Sequence, residues 1–210
     1  MSNNVIDIKS FSNEELLKEV ENRMRLNNGV GVLAPTPSVP PPVITPYYIM
    51  CRMVANGWAE NRKKGETDPR IKKMWEYIGY PELDDDDSYC AATVNACLKL
   101  AGYEMSEKVP VARSFETYGR AVNNVFSWKK GDIIVFKHGN SSWQGHVGFL
   151  TDFSPDNFLV TGGNQNDKMC TKKYPRSEHA RLQVTTLRRI TDMNKVGEPD
   201  LQTLREWELI

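Results

Sequence analysis

Three polar residues in the middle of the chain have side chains suited to nucleophilic catalysis. Cys90 lies in the segment SYCAATVNACLKLAG, His146 in SSWQGHVGFL and Asn164 in GGNQND. A thiolate attacks amide carbonyls, an imidazole accepts the thiol proton, and a side-chain amide holds the imidazole in one tautomer. These residue types, in this order, predict a thiol hydrolase or an acyl transferase.

Cys90 follows four consecutive aspartates and begins a predicted helix, with Asp87 or Ser88 as the expected cap. The first-turn N–H groups and the positive end of the helix dipole favour a thiolate, which predicts a lowered pKa for this cysteine. Free cysteines are also among the most buried residue types, so a core role for Cys90 stays open at this point. Cys97, two turns further along the same face, is predicted to be core.

His146 is the candidate base among the three histidines of the sequence. It follows a glycine-containing loop and begins an apolar strand, a place from which a side chain points to the rim of a sheet. A structural role for this histidine is the alternative. His138 and His179 lie in polar, turn-like segments and are predicted to be solvated.

The group that orients the histidine is located by hairpin register. If Ser154 and Asn157 flank a two-residue turn, Gln165 lies opposite His146, whereas a shift of one residue places Asn164 there. The two glycines before Asn164 are typical of a bulge, which leaves the register open by one residue. We predict Asn164 as the orienting amide and Gln165 as a substrate contact, with the choice between the two amides open.

The elements around these residues predict an α+β domain. An amphipathic helix is expected from its cap, Asp68, to Gly79, and the nucleophile helix is expected to end at Gly102. Strands are predicted in WKKGDIIVFKHG, in both arms of GHVGFLTDFSPDNFLVTGG, and in RLQVTTLRRI. Because helices precede strands, the pattern favours an antiparallel sheet over alternating βαβ units.

Four segments divide the chain. We predict an N-terminal helical segment over residues 1–34, a proline-rich linker over 35–46, a catalytic domain over 47–190, and a tail over 191–210 with one short helix. The N-terminal helix is expected to cover the active site, to dock a delivery partner, or to complete the core through Leu16, Leu17 and Val20. These three roles stay open.

Composition excludes several classes of partner. The 27 basic and 27 acidic side chains balance, and no basic run is interleaved with aromatic residues, so no nucleic-acid partner is expected. No apolar run reaches the length of a membrane span, and the first residues lack the features of a signal peptide. Four cysteines without a CxxC pair indicate a reduced protein made in the cytoplasm. No cofactor or metal is expected.

Asp84, Asp85, Asp86 and Asp87 form an acidic run before the nucleophile helix. A solvated helix cap is the leading interpretation, because negative charge is favourable near a helix N-terminus. Calcium is the rival ligand, although the run lacks the alternating spacing and the glycine of a dedicated calcium loop. A third interpretation is recognition of amine-bearing peptides.

The ordered segments resemble the NlpC-type and CHAP branches of the papain-like peptidoglycan peptidases, most closely their phage and bacterial members. The resemblance extends over roughly residues 50–190. It is carried by ANGWAENRKKGETDPRIKKMWEYIG, SYCAATVNACLKLAG, KKGDIIVFKHGN, SSWQGHVGFLTD and FLVTGGNQND. The chain departs from the family pattern at Tyr89, where relatives often have Trp or Asp, and at Gly162, where CHAP members carry an acid. The implied fold is a central antiparallel sheet with the nucleophile helix packed against it.

This resemblance implies a cysteine amidase or endopeptidase that acts on peptidoglycan peptides. Cys90 would be the nucleophile, His146 the base and Asn164 the orienting group, with Tyr89 and Trp143 as cleft walls. Action at the wall without a signal peptide implies release by a phage holin or a contractile secretion machine, so the protein would be an endolysin or an antibacterial effector. A delivery or immunity protein is then a candidate partner. The alternatives are a non-catalytic wall- or partner-binding module on the same fold, and an intracellular thiol acyltransferase or deamidase.

Overall fold

Helices precede most of the strands in the computed structural model, which describes residues 43–210 except residues 62, 64 and 65. The helices of this part are α1 (Pro46–Ala55), α2 (Pro69–Tyr77), α3 (Cys90–Leu100) and α4 (Leu201–Glu206). The strands are β1 (Arg120–Ala121), β2 (Ile133–His138), β3 (Gly145–Phe153), β4 (Asn157–Gly162), β5 (Cys170–Pro175) and β6 (Leu182–Arg189). The predicted N-terminal helix and most of the predicted linker lie outside the described residues.

The six strands form one antiparallel sheet in the order β1-β6-β2-β3-β4-β5. Alternate residues of β2 and β3 face the helices, where Val135 and Val147 join the larger core, while Phe136 and Leu150 join a second apolar cluster. This alternation is the period-2 pattern of a strand buried on both faces. The mixed α/β class and the predicted β3–β4 hairpin are confirmed, whereas a papain-like arrangement stays a prediction.

Helix α2 begins and ends as its sequence predicts. The Asp68 carboxylate accepts hydrogen bonds from the backbone N–H groups of Arg70 and Ile71, at 2.8 and 3.3 Å, and Pro69 occupies the first helical position. The apolar side chains at the predicted spacing are buried. Gly79, just beyond the helix, has a φ of +93° that favours glycine.

Helix α3 is buried on nearly every side. It packs against α1, α2 and β3, and its small residues allow these neighbours to approach closely. The predicted caps are wrong: the residue that precedes the helix is Tyr89, whose side chain makes no capping hydrogen bond. The Asp87 carboxylate instead accepts from the backbone N–H of Asp84, at 3.1 Å, within the preceding turn.

Two elements at the ends of the described part add to the core. Helix α1 was not predicted, although the Thr45 hydroxyl accepts from the Tyr48 N–H at 3.1 Å and Pro46 occupies the first turn. The short helix predicted in the C-terminal segment is present as α4. Leu204 and Leu209 are fully buried, so this segment belongs to the core of the fold. In the described part, no helix has the length and apolar character that crossing a bilayer requires.

Candidate active site

Cys90 is the first residue of α3, and its side chain is only 7% exposed. Burial raises the pKa of the Cys90 thiol, because the thiolate loses its hydration. The backbone N–H groups of Val147, Ala91 and Cys90 itself oppose this shift by favouring the thiolate. The prediction of a lowered pKa for Cys90 is therefore wrong, because the loss of hydration outweighs the effect of these N–H groups.

His146 lies at the start of β3 and is also 7% exposed. Burial, with a smaller contribution from the Lys172 charge, lowers the pKa of its imidazole to about 4, against the opposing hydrogen bond to Gln165. The ring is therefore neutral at physiological pH. A neutral imidazole has a lone pair that can accept a proton, which is the property a general base needs.

Gln165 is the side chain that holds this imidazole. Its Oε1 atom lies 3.1 Å from His146 Nε2. The Gln165 amide nitrogen donates to the backbone carbonyl oxygens of Val160, Gly162 and Cys170, which fixes Oε1 as the end that faces the histidine. Because Oε1 can only accept, His146 Nε2 must carry the proton, and Nδ1 is left with the free lone pair.

The turn that carries Gln165 has an unusual backbone. Asn164, Asn166 and Asp167 all have left-handed φ values, of 52°, 58° and 60°. Such values cost non-glycine residues on the order of 1 kcal/mol each, least for Asn and Asp. The turn also approaches α3 closely, since a Cβ atom at Gly163 would stand 2.1 Å from the hydroxyl oxygen of Thr93. Strained backbone of this kind is typical of functional sites.

Asn164, the predicted orienting residue, is not the partner of the imidazole. The strand pairing shifts by one residue between Leu150 and Asp152, and β4 ends at Gly162 before either predicted register reaches His146. The left-handed turn then brings the Gln165 amide to the ring. The structure therefore moves the orienting position from Asn164 to Gln165, while the catalytic roles themselves stay predictions.

Cys90 and His146 are neighbours through the backbone of β3. The Val147 N–H, which favours the Cys90 thiolate, belongs to the residue that follows His146. Among the described residues, no hydrogen bond joins the Cys90 thiol to the imidazole. Catalytic hydrogen bonds are often long before substrate binds. In the resting protein both groups are neutral, Cys90 as a thiol and His146 as an imidazole.

The two aromatic residues predicted to wall a cleft differ in exposure. Tyr89 is fully buried, so it does not wall an open cleft. Burial, followed by the negative charge of Glu60, raises the pKa of this phenol. Trp143, three positions before His146, is 66% exposed, and its contact with a substrate stays a prediction. Arg113 holds its loop through the carbonyl oxygens of residues 141 and 142, at 3.1 and 2.7 Å.

Asp85 contradicts the solvated-cap interpretation of the acidic run. Its carboxylate is buried and accepts from the backbone N–H groups of Asn61 and Asp68, at 2.7 and 2.8 Å. It thereby joins the loop before α3 to the start of α2. Within the described ranges, no three His, Cys, Asp or Glu side chains come together in a way that could hold a metal ion.

The hydrogen bonds of His146 and Gln165 form a network with one residue that the sequence did not indicate. Tyr174, on β5, donates its hydroxyl hydrogen to Gln165 Oε1 at 2.8 Å, and its ring centroid lies 5.5 Å from that of His146. Strand β5 was itself not predicted, because CTKKYP lacks a clear alternation of apolar and polar residues. No sequence signal therefore placed this tyrosine near the histidine.

Comparisons with known proteins show a likeness to a solved structure but to no family model. No protein-family model matches the chain, and no curated protein matches it. The chain is similar to the solved structure of NlpC1 from Trichomonas vaginalis, with 16% sequence identity and a TM-score of 0.41. The match covers 69% of this chain and 44% of that protein, so the chain spans less than half of that protein's length. At this level, the likeness supports no conclusion about catalysis.

Proposed function

We propose that this protein is a cysteine hydrolase that cleaves an amide bond in cell-wall peptides. Cys90 is the nucleophile, His146 the general base and Gln165 the residue that orients the base. The observation that carries the proposal is the His146 Nε2 to Gln165 Oε1 hydrogen bond of 3.1 Å, because it leaves Nδ1 free to accept the thiol proton.

The reaction proceeds in two steps. In the first, the Cys90 proton passes to His146 Nδ1 as the sulfur attacks the amide carbonyl carbon, and the Cys90 N–H at the start of α3 donates to the oxyanion. The C–N bond then breaks, and the imidazolium protonates the departing amine, which leaves a thioester on Cys90. In the second step, His146 takes a proton from water as the hydroxide adds to the thioester carbonyl carbon. The C–S bond then breaks and the imidazolium returns the proton to the Cys90 sulfur, which leaves a carboxylic acid and the free thiol.

The choice of substrate rests on the sequence resemblance to peptidoglycan peptidases. Under this proposal the protein acts at the cell wall. It would act as a phage endolysin or as an antibacterial effector, and a delivery or immunity protein would accompany the second role. The same chemistry, applied to another acyl donor, would give an intracellular thiol acyltransferase or deamidase.

A second candidate function is a binding module without turnover. The observation that favours it is the burial of the pair: Cys90 and His146 are each 7% exposed, and burial raises the pKa of the thiol. In such a module the fold would present a surface to wall fragments or to a partner protein, and both residues would serve the core.

One experiment separates these functions. Purified peptidoglycan is incubated with the wild-type protein, Cys90→Ala, His146→Ala and the control Cys51→Ala, and the soluble products are identified by mass spectrometry. Cys51 is a half-buried free thiol on α1. The proposal predicts new amine and carboxylate ends with the wild type and the control, and none with the other two variants. Equal products from all four proteins, or binding without products, would contradict it.

A further inference from the structure

Tyr174 contacts both members of the His146–Gln165 pair. Its ring centroid lies 5.5 Å from that of His146 and 4.9 Å from that of Phe136, while its hydroxyl oxygen lies 2.8 Å from Gln165 Oε1. The side chain is only 6% exposed. It therefore limits the movement of the imidazole with its ring and that of the amide with its hydroxyl.

The Tyr174 hydroxyl also donates to one of the two lone pairs of Gln165 Oε1. A carbonyl oxygen has two lone pairs, and here one accepts from Tyr174 and the other from His146. Burial raises the pKa of the Tyr174 phenol, so the hydroxyl keeps its proton and stays a donor. An oxygen that already accepts one hydrogen bond is a weaker acceptor for a second donor. Tyr174 thus sets both the position of Oε1 and the strength of its bond to the imidazole.

We propose that Tyr174 is a positioning residue that acts on His146 through Gln165. The inference rests on the proposed function, since it assigns Tyr174 to the same reaction. Among the described residues, Tyr174 makes no hydrogen bond to Cys90, and it is nearly buried. Its effect on the reaction therefore passes through the base. Its removal should then alter the rate of the chemical step more than substrate binding.

Tyr174→Phe removes the hydroxyl and keeps the ring. We expect kcat to fall about five-fold, the effect of one neutral hydrogen bond, with KM nearly unchanged. We also expect the pKa of His146 to rise from about 4 to between roughly 4.5 and 5. The reason for the rise is that Oε1, relieved of one donor, accepts more strongly from the imidazolium N–H.

Tyr118→Phe is the matched control. Tyr118 is equally exposed, at 6%, and its hydroxyl donates to the backbone carbonyl oxygen of Glu104 at 2.9 Å, in a part of the fold that does not contact the network. This variant loses a comparable hydroxyl and should lose comparable stability. It should leave the His146 titration and kcat as they are in the wild type.

The deciding measurement is an NMR titration of the His146 ring in the wild type, Tyr174→Phe and Tyr118→Phe, with the signal assigned by its loss in His146→Ala. The proposal predicts a raised midpoint in Tyr174→Phe alone. An unchanged or lowered midpoint would overturn it, as would a Tyr174→Phe chain that does not fold, because the hydroxyl would then be structural. The titration needs no substrate, so it decides the role of Tyr174 even if the wild type cleaves no peptidoglycan.

A double variant adds a kinetic test. If Tyr174 acts through Gln165, the double variant Tyr174→Phe/Gln165→Asn has the same kcat as Gln165→Asn alone. The reason is that Gln165→Asn has already displaced the amide through which Tyr174 acts. Losses that multiply would show that Tyr174 acts by another route and would overturn the proposal.

Discussion

His146 Nε2 lies 3.1 Å from Gln165 Oε1, at a point where β4 has ended and a left-handed turn leads towards β5. This hydrogen bond joins a strand start to a turn nineteen positions later. It fixes one tautomer of the imidazole and leaves Nδ1 as the basic nitrogen. The proposed catalytic role of His146 depends on it.

Replacement of Gln165 should therefore impair the chemical step. In Gln165→Asn the amide is one methylene shorter and withdraws from the ring, so the tautomer and orientation of His146 are no longer held. We expect kcat to fall at least about ten-fold, a part of the 10²- to 10⁴-fold that general base catalysis contributes. Peptidoglycan hydrolysis under saturating substrate measures the change, and circular dichroism checks the fold.

Asn164→Gly is the control for that variant. Glycine keeps the left-handed backbone, at a φ of 52° in the native protein, and removes only the side chain. Activity should stay within about two-fold of the wild type, because Gln165 and not Asn164 meets the imidazole. A larger loss in Asn164→Gly than in Gln165→Asn would restore Asn164 as the orienting residue.

Residues with short-range signals were predictable from the sequence. Asp68 and Pro69 predict the start of α2, and the short apolar runs in GDIIVF and HVGFL predict β2 and β3. Both signals depend on near neighbours in the sequence. The pairing of a cysteine with a histidine followed from chemistry. The choice between Asn164 and Gln165 could not be predicted from chemistry. It depends on a bulge in β3 and on three residues with left-handed backbone, and no sequence rule predicts either feature.

Residues whose environment is made by distant segments were not predictable. The pKa of Cys90 depends on how deeply α3 is buried, which a helix-start rule does not include. In the sequence, Asp85 cannot be distinguished from the three neighbouring aspartates. Only the fold places the N–H groups of Asn61 and Asp68 within hydrogen-bond distance of its carboxylate. Tyr174 meets His146 only because β4 lies between β3 and β5 in the sheet.

The buried histidine should make the protein sensitive to acid. The pKa of His146 is about 4 in the folded chain and 6.5 as its ordinary value, so below pH 6.5 the unfolded chain binds a proton that the folded chain does not. Stability from this residue is therefore present above pH 6.5 and is lost as the pH falls towards 4. The loss between pH 7 and pH 4 should reach about 3 kcal/mol in the free energy of unfolding.

Urea unfolding at several pH values tests this sensitivity. His146→Gln should lose less stability on acidification than the wild type, by about the same 3 kcal/mol, because the carboxylates titrate equally in both. His179→Gln is the control, since the His179 side chain is 88% exposed. Parallel pH profiles for the wild type and His146→Gln would show that burial does not lower the pKa of His146.

Asp85→Ala should destabilise the fold. It leaves the partly buried N–H groups of Asn61 and Asp68 without their acceptor, and hydrogen bonds to a charged group contribute about 1.5–3 kcal/mol. We expect the free energy of unfolding to fall by about 3 kcal/mol. Asp86→Ala removes an exposed carboxylate from the same run and should change it by less than about 0.5 kcal/mol. Equal effects in the two variants, by thermal or urea unfolding, would return Asp85 to the role of a solvated cap.

If Cys90 is the nucleophile, it forms a thioester with the substrate, and that intermediate can be trapped. Soluble cell-wall peptides are mixed with the protein, the reaction is stopped with acid on the millisecond-to-second scale, and the intact mass is measured and mapped to a peptide. We predict an added mass equal to the acyl part of the substrate on the peptide that contains Cys90, sensitive to hydroxylamine and absent from Cys90→Ala. Cleavage by Cys90→Ala at the wild-type rate, with no added mass on Cys90 in the wild type, would contradict the proposed role of Cys90.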